Sequence, residues 1–321
     1  MTAPDDVRAP TAEPAPPPAS PTPRGPARLL RAWLHGTRTG ALVRAVRPRQ
    51  WLKNGLVLAA PTAAGVLDTA EGARGALIAF VAFCLAAGGA YLLNDAADAE
   101  ADRLHPRKRR RPIASGALSV RAARIAGVTL VLAAPAVAAL TGRWELPAVV
   151  AGYLALTFGY TAWLKHRPVV DLVAVAGCHV LRAYAGAVAV GVPVTSWFLV
   201  VISLGSLQLI AGKREAELRA HGADTGTRAT LGAYSRAYLA QVRTMCSGAM
   251  IVTYCLWALD DHPGPFYGLS IVPFVLVVLR HNLLVDRGIG EEPEELALRD
   301  RPLQVFIGMQ LALLVVGIYA T

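Results

Sequence analysis

Residues 75–102 read GALIAFVAFCLAAGGAYLLNDAADAEAD, and the fold follows from this stretch. From Gly75 to Leu93 there is no charged residue; as an α-helix that length covers about 28 Å, close to the thickness of a bilayer's hydrocarbon core. Directly after it stand Asn94, Asp95, Asp98 and Asp102. An uncharged, membrane-length segment running unbroken into an acidic cluster puts polar chemistry at one end of a spanning helix.

Working outward, the rest of the chain repeats the pattern. It is 321 residues long, 54% hydrophobic and 17% charged, with a mean hydropathy of +0.42, which excludes a water-solvated globule. Nine apolar runs are expected to span, at 51–67, 75–93, 120–140, 147–164, 169–190, 195–211, 240–259, 267–285 and 303–320. They lack the alternating ten-residue pattern of a β-barrel. The fold class is therefore an all-α polytopic membrane protein. Residues 1–27 form a Pro/Ala-rich tail, with nine prolines in the first 26 positions and too little apolar surface to repay ordering. No apolar stretch follows a short basic start, so the tail does not read as a signal peptide. Residues 28–50, with Arg28, Arg31, Arg38, Arg44 and Arg47, read as an amphipathic helix on the membrane surface. Residues 51–321 are expected to form a nine-helix transmembrane domain.

Charge placement supports that count. Of the 32 Lys and Arg residues, 29 fall on the N-terminal side and in even-numbered connections; only Arg74, Arg143 and Arg182 do not. By the positive-inside rule the N-terminus and the even-numbered connections are expected to be cytoplasmic, in a multi-pass protein of the cell membrane. The net charge of +10 then needs no nucleic acid to explain it. Cys84, Cys178, Cys246 and Cys255 all lie in apolar runs without a CxxC pair and read as packing residues.

On a continuing helix Asn94, Asp98 and Asp102 share a face, and Asp95 reaches it at three residues from Asp98. Stacked carboxylates repel unless a cation sits among them. Oxygen ligands favour Mg²⁺, which takes one or two carboxylates together with the phosphates of a substrate. Lys108 and Arg111 follow, ready for an anion on the other side of the metal. Tyr160 and Lys165 close the fourth span, and Asp171 opens the fifth. Arg182 lies about three turns from Asp171, about 16 Å deeper, where an Arg normally faces a polar cavity. Helix 6 ends on Lys213 and Arg214, and the loop holding Glu291, Glu292, Glu294, Glu295, Arg299 and Asp300 reads as a solvated gate or salt-bridging lid. The chain has 28 Arg but only four Lys: Lys53, Lys108, Lys165 and Lys213. Each falls at or close to the cytoplasmic end of a different span, and a compact ammonium suits a single phosphate oxygen.

These residues carry a resemblance. NDAADAEADRLHPRKRRRPIASG at 94–116 resembles the first Asp-rich motif of the UbiA-type intramembrane prenyltransferase superfamily, whose members have nine transmembrane helices around a lipid-open cavity. RPRQWLKNGLVLAAP at 47–61, YTAWLKHRPVVDL at 160–172, VLRAYAGAVAVGVPVTSWF at 180–198, GKREAEL at 212–218 and PEELALRDRPLQ at 293–304 are similar to its actinobacterial phosphoribosyltransferase branch. The resemblance covers residues 44–321. It implies transfer of 5-phosphoribose from 5-phosphoribosyl 1-diphosphate to decaprenyl (polyprenyl) phosphate, in the Mg²⁺-dependent step that supplies arabinose donors for the cell wall. It implies that Asn94, Asp98 and Asp102 hold metal and diphosphate, with Asp95 beside them, and that Lys108 and Arg111 hold the leaving diphosphate. Lys53, Tyr160, Lys165, Asp171, Arg182, Lys213 and Arg214 are the candidates for ribose, 5-phosphate and acceptor contacts. The partners expected are these two substrates and membrane lipid, with self-association left open. One departure stands out: Val175, not an acid, lies four residues after Asp171, so the second DxxxD motif of many aromatic prenyltransferases is missing.

The chemistry fits the residues. As diphosphate leaves, positive character grows at C1, so stabilising the departing anion is the main task. A phosphate acceptor is already ionised near neutral pH and needs no general base. Two alternatives stand beside this reading: prenyl transfer from a prenyl diphosphate to an aromatic acceptor, and a transporter or lipid-binding scaffold in which the acidic stripe has no task.

Overall fold

The computed structural model describes residues 33–34, 36–106, 108–221, 230–261, 264–289 and 293–319, and every regular element among them is helical. A short α1 (Arg38–Ala45) leads into a 3₁₀ segment (Pro48–Leu58) and α2 (Ala59–Ala63). There follow α3 (Ala70–Ala97), α4 (Ala99–Leu104), α5 (Val120–Ala138), α6 (Glu145–Ala162), α7 (Val170–Val190) and α8 (Ser196–His221). The chain continues through α9 (Arg236–Leu256), α10 (Pro265–Asp286), α11 (Pro293–Arg299) and α12 (Arg301–Tyr319).

Seven of these helices, α3, α5, α7, α8, α9, α10 and α12, are long and apolar enough to cross a membrane. The sequence led to an expectation of nine, and two spans differ. The fourth is α6, 18 residues long, whose Glu145, Pro147, Tyr153, Thr157, Tyr160 and Thr161 dilute its apolar content. The first is not a regular α-helix: Lys53, Asn54 and Gly55 interrupt the apolar run, and the chain takes a 3₁₀ path before five residues of α-helix. Irregular backbone at membrane depth is tolerated where it is packed in protein or lines a cavity, and this segment does both. The surface helix expected over 28–50 is also shorter. It ends at Ala45, and Arg47 takes a left-handed conformation (φ 55°) just before Pro48 starts the 3₁₀ run. The tail 1–27 and residues 28–32 lie outside the described residues.

Helix starts are set by side chains that accept otherwise unpaired backbone N–H groups. Thr37 caps α1, Thr69 caps α3, Ser119 caps α5 and Ser235 caps α9. Gly191, at φ 71°, ends α7 in a left-handed turn.

Helix α3 packs against α5, α6, α7 and the 3₁₀ segment. It crosses α5 through Gly89 and Gly127: a Cβ on Gly89 would stand 2.9 Å from the Gly127 carbonyl oxygen, so only small residues permit the approach. Val57, Phe83, Leu146, Val150, Tyr153 and Ala185 form the core of this half. The other half pairs α8 with α9 and α10 with α12, and α7 joins the two by packing against α8. A cavity of about 730 Å³ lies between the halves.

Candidate active site

The acidic stripe stands at the end of α3. The helix breaks at Asp98, yet the i→i−4 bonds continue through it: Asp98 N to Asn94 O at 3.0 Å and Asp102 N to Asp98 O at 2.8 Å. The direction of the helix is kept, so the acids stay stacked. Asp95 and Asp102 are buried, whereas Asp98 is exposed and Asn94 lies between these extremes.

The cation that stacked carboxylates require is, in this structure, an arginine. Arg111 Nη1 donates to Asp102 Oδ2 at 2.7 Å and to Asp95 Oδ1 at 3.1 Å, bridging two acids one heptad apart. Arg47 donates to both oxygens of Asp95, at 2.7 and 2.8 Å, with its guanidinium 4.8 Å from the Tyr91 ring centre. Asp95 is thus neutralised from two sides and ties the surface segment and the basic loop to α3. Among the described residues no three His, Cys, Asp or Glu side chains converge on one point. Such a cage is not what Mg²⁺ needs. Asn94 and exposed Asp98 offer oxygen donors on one stripe, with Asp102, buried and paired with Arg111, at its end, and phosphates and water ordinarily complete the shell of Mg²⁺. The donor set fits.

The cavity collects the other candidates. Lys53, Asn94, Tyr160, Arg182, Lys213 and Arg214 all line it. The sequence foresaw a polar cavity around Arg182 but not its partners. Arg182 is 5% exposed and donates to Asn54 Oδ1 (2.9 Å), Cys178 O (3.1 Å) and Tyr153 OH (2.8 Å), and it lies over the Tyr153 ring. Three N–H groups are held by three different elements, so its charge is fixed in place. Asp171 does not reach toward Arg182. Fully buried, it accepts from Tyr234 OH, from Thr230 Oγ1 at 3.3 Å and from Arg214 Nε at 3.4 Å. Burial first, then the bond to Asp171, raises the Tyr234 hydroxyl above its ordinary value and keeps it a donor. Arg214, oriented by Asp171, also meets Glu217 at 2.9 Å and Tyr160 OH at 3.3 Å. This knot joins α6, α7, α8 and the segment before α9.

Lys108 and Lys165 do not line the cavity. Lys108 sits in a 3₁₀ turn after the stripe, and the Lys165 backbone oxygen accepts from Thr230 at 3.5 Å. Several cavity residues carried no sequence signal: His179, Gln208 and His281 line it too. A lone His or Gln inside an apolar run has no local partner to mark it, and only the packing of α7, α8 and α10 brings them together. In the acidic loop Asp300 pairs with Arg280 at 2.7 Å, while Glu291 and Glu292 lie outside the described residues.

Comparison with known proteins agrees with this architecture. The UbiA prenyltransferase family model matches residues 55–307. The chain is 44% identical over 285 residues to the decaprenyl-phosphate phosphoribosyltransferase of Mycolicibacterium smegmatis, covering 82% of this chain and 88% of that one. It is 43% identical to the protein of the same name from Corynebacterium glutamicum, covering 87% and 86%. Among solved structures it superposes on a UbiA homolog from Archaeoglobus fulgidus bound to GPP and Mg²⁺, with a TM-score of 0.67, 18% identity and coverage of 87% and 98%. Helical bundle, acid-tipped third helix, charged central cavity and a family match over most of its length agree: the chain belongs to the UbiA prenyltransferase family.

Proposed function

We propose that this membrane transferase moves 5-phosphoribose from 5-phosphoribosyl 1-diphosphate to decaprenyl phosphate or a similar polyprenyl phosphate, releasing diphosphate. The observation that carries the reading is the cavity itself. It gathers Lys53, Arg182, Lys213 and Arg214 around a space whose remaining lining is largely apolar, which suits two anions meeting at the head of a lipid. The relatives that span most of the chain bear the name of that activity. The water-borne donor fits a cytoplasmic basic face on a protein of the cell membrane.

In this reading Asn94, Asp98 and Asp102 hold Mg²⁺, which when bound draws charge from the departing diphosphate. Lys108 would meet the departing diphosphate, and Arg111, which bridges Asp95 and Asp102, would be placed to donate to one of its oxygens. The electron pair of the C1–O bond leaves with diphosphate, and an oxygen of the acceptor phosphate closes the new bond to C1. The acceptor is ionised near neutral pH, so no side chain has to remove a proton. Tyr160 and Arg214, aligned by buried Asp171, face the ribose and its 5-phosphate; Lys53 and Lys213 each offer an ammonium to a phosphate oxygen, and Lys165, which does not line the cavity, would meet the donor only outside it. Arg182, held by Asn54 and Tyr153, acts through its fixed charge on whatever anion enters.

Prenyl transfer to an aromatic acceptor fits less well. A second metal would need Asp171, whose carboxylate already accepts from Tyr234, Thr230 and Arg214, and Val175 supplies no partner. Incubation with labelled phosphoribosyl diphosphate and a panel of polyprenyl phosphates should give labelled lipid. Labelled product only from prenyl diphosphate and an aromatic acid would replace this assignment.

A further inference from the structure

The two walls of the cavity differ in chemistry. The α3, α6, α7 and 3₁₀ side bears Lys53, Asn94, Tyr160 and Arg182; across from it, α8 and α10 present Gln208, Lys213 and His281. His281 is 7% exposed and its ring lines the cavity, while its Nδ1, turned away from the open space, is fully covered and has no hydrogen-bond partner among the described residues. A buried polar nitrogen left unpaired is costly, and such atoms are the exception in folded proteins. Gln208 is 3% exposed and is held in place: its amide donates to Asn282 Oδ1 at 3.0 Å, and Asn282 donates to Ser247 Oγ at 3.0 Å. A Cβ on Gly212 would lie 3.5 Å from His281 Cε1, so the imidazole packs beside the turn of α8 that carries Lys213.

Farther along the same two helices, away from the basic face, the wall turns apolar. Val201, Ile202 and Gly205 on α8 and Phe274, Val277 and Val278 on α10 line it there. A ligand whose polar head meets His281 and Gln208 therefore has its body against hydrocarbon. The sugar donor is polar along its whole length and would leave its hydroxyls unpaired on that surface. A lipid phosphate monoester matches both ends.

We infer that His281, Gln208 and Lys213 form the subsite for the acceptor's phosphate, with the lipid chain running down the apolar faces of α8 and α10. A turn of the His281 ring that brings Nδ1–H to the cavity lets it donate to a phosphate oxygen, Gln208 offers its second amide hydrogen, and Lys213 brings the charge. The inference rests on the function proposed above, because it takes the lipid phosphate as acceptor.

The test uses the full-length protein in lipid nanodiscs, with decaprenyl phosphate and phosphoribosyl diphosphate varied in turn. His281→Phe keeps the volume and removes the hydrogen bond; it should raise the acceptor KM about tenfold, the scale of a hydrogen bond to a charged group, and leave the donor KM unchanged. His281→Asn, whose amide nitrogen falls near Nδ1, should restore most of the affinity. Gln208→Met is the independent arm if His281→Phe does not fold, and it should shift the same constant. An acceptor KM within twofold of wild type in both variants overturns the subsite, and so does an equal rise in donor KM. Binding of decaprenyl phosphate without donor separates the two claims. Lipid binding that weakens in His281→Phe, from a wild type that transfers no phosphoribose, keeps the subsite and removes the function.

Discussion

Asp98 and Asp102 share a stripe but have different surroundings, and their substitutions should separate binding from folding. Asp98 is exposed at the helix break, so Asp98→Asn should abolish turnover by at least a hundredfold while the melting temperature stays within a degree or two; near-normal transfer would remove it from the metal site. Asp102 is buried against Arg111 at 2.7 Å, so Asp102→Asn should lose activity and stability together, the latter by roughly 1–3 kcal/mol. Arg182→Ala leaves Asn54 Oδ1 and Tyr153 OH without their donor and should also cost roughly 1–3 kcal/mol for each group left unpaired, read as a fall in melting temperature alongside lost transfer. The chain alone showed that Arg182 had to face something polar, because mid-membrane charge is expensive. It did not show what. Asp171 and Arg182 lie on one face of one helix by spacing, yet each is satisfied by other elements, Asp171 by Tyr234 and Arg214 and Arg182 by Asn54 and Tyr153. Partners separated by tens of residues leave no local trace.

Among the elements, the 3₁₀ segment is where periodicity failed and where the site depends most on backbone. An apolar run with Lys53 and Asn54 inside it reads as a span, because composition registers the run and not the path. Its path is set by a neighbour: a Cβ on Gly186 of α7 would stand 1.8 Å from the Val57 carbonyl oxygen. Only glycine admits that contact. Gly186→Ala should therefore push the segment away from α7 at a cost of about 1–3 kcal/mol, the scale of core overpacking. The same shift should loosen Asn54 from Arg182 and move Lys53 from the cavity. The expected result is a lower melting temperature together with a raised donor KM; a variant with wild-type stability and kinetics would show that the contact relaxes freely. Helices α3, α5, α6, α7, α9 and α10, by contrast, were legible to within about five residues, since apolar runs of membrane length with caps such as Thr69, Ser119 and Ser235 leave few other readings, whereas α8 continues through charged residues to His221, past the expected end at 211.

At the scale of the whole molecule, the cavity is closed by elements distant in sequence, and one ion pair fastens the last of them. Asp300 accepts from Arg280 Nε at 3.1 Å and Nη2 at 2.7 Å, and it caps α12 by accepting from Leu303 N at 2.9 Å. Through it α10 is joined to α12 and to α11, whose Ala297 reaches the cavity wall. The hydrogen bonds from Arg280, ahead of the opposing effect of desolvation, hold the Asp300 carboxyl below its ordinary range. A carboxylate whose folded value lies below its unfolded one stabilises the fold above the unfolded value and loses that contribution as pH falls through the folded one. The join should therefore be intact from neutral pH down to the ordinary aspartate range and open only in stronger acid. Hydrogen exchange across 293–303, corrected for intrinsic rates, should rise below about pH 4 in the wild type. In Asp300→Asn, which retains a capping oxygen but not the charge, exchange should be raised already at pH 7 and change little on acidification. Equal protection of that segment in both proteins at pH 7 would show that α11 and α12 are held by the apolar contacts of Leu284, Leu296 and Leu303 instead.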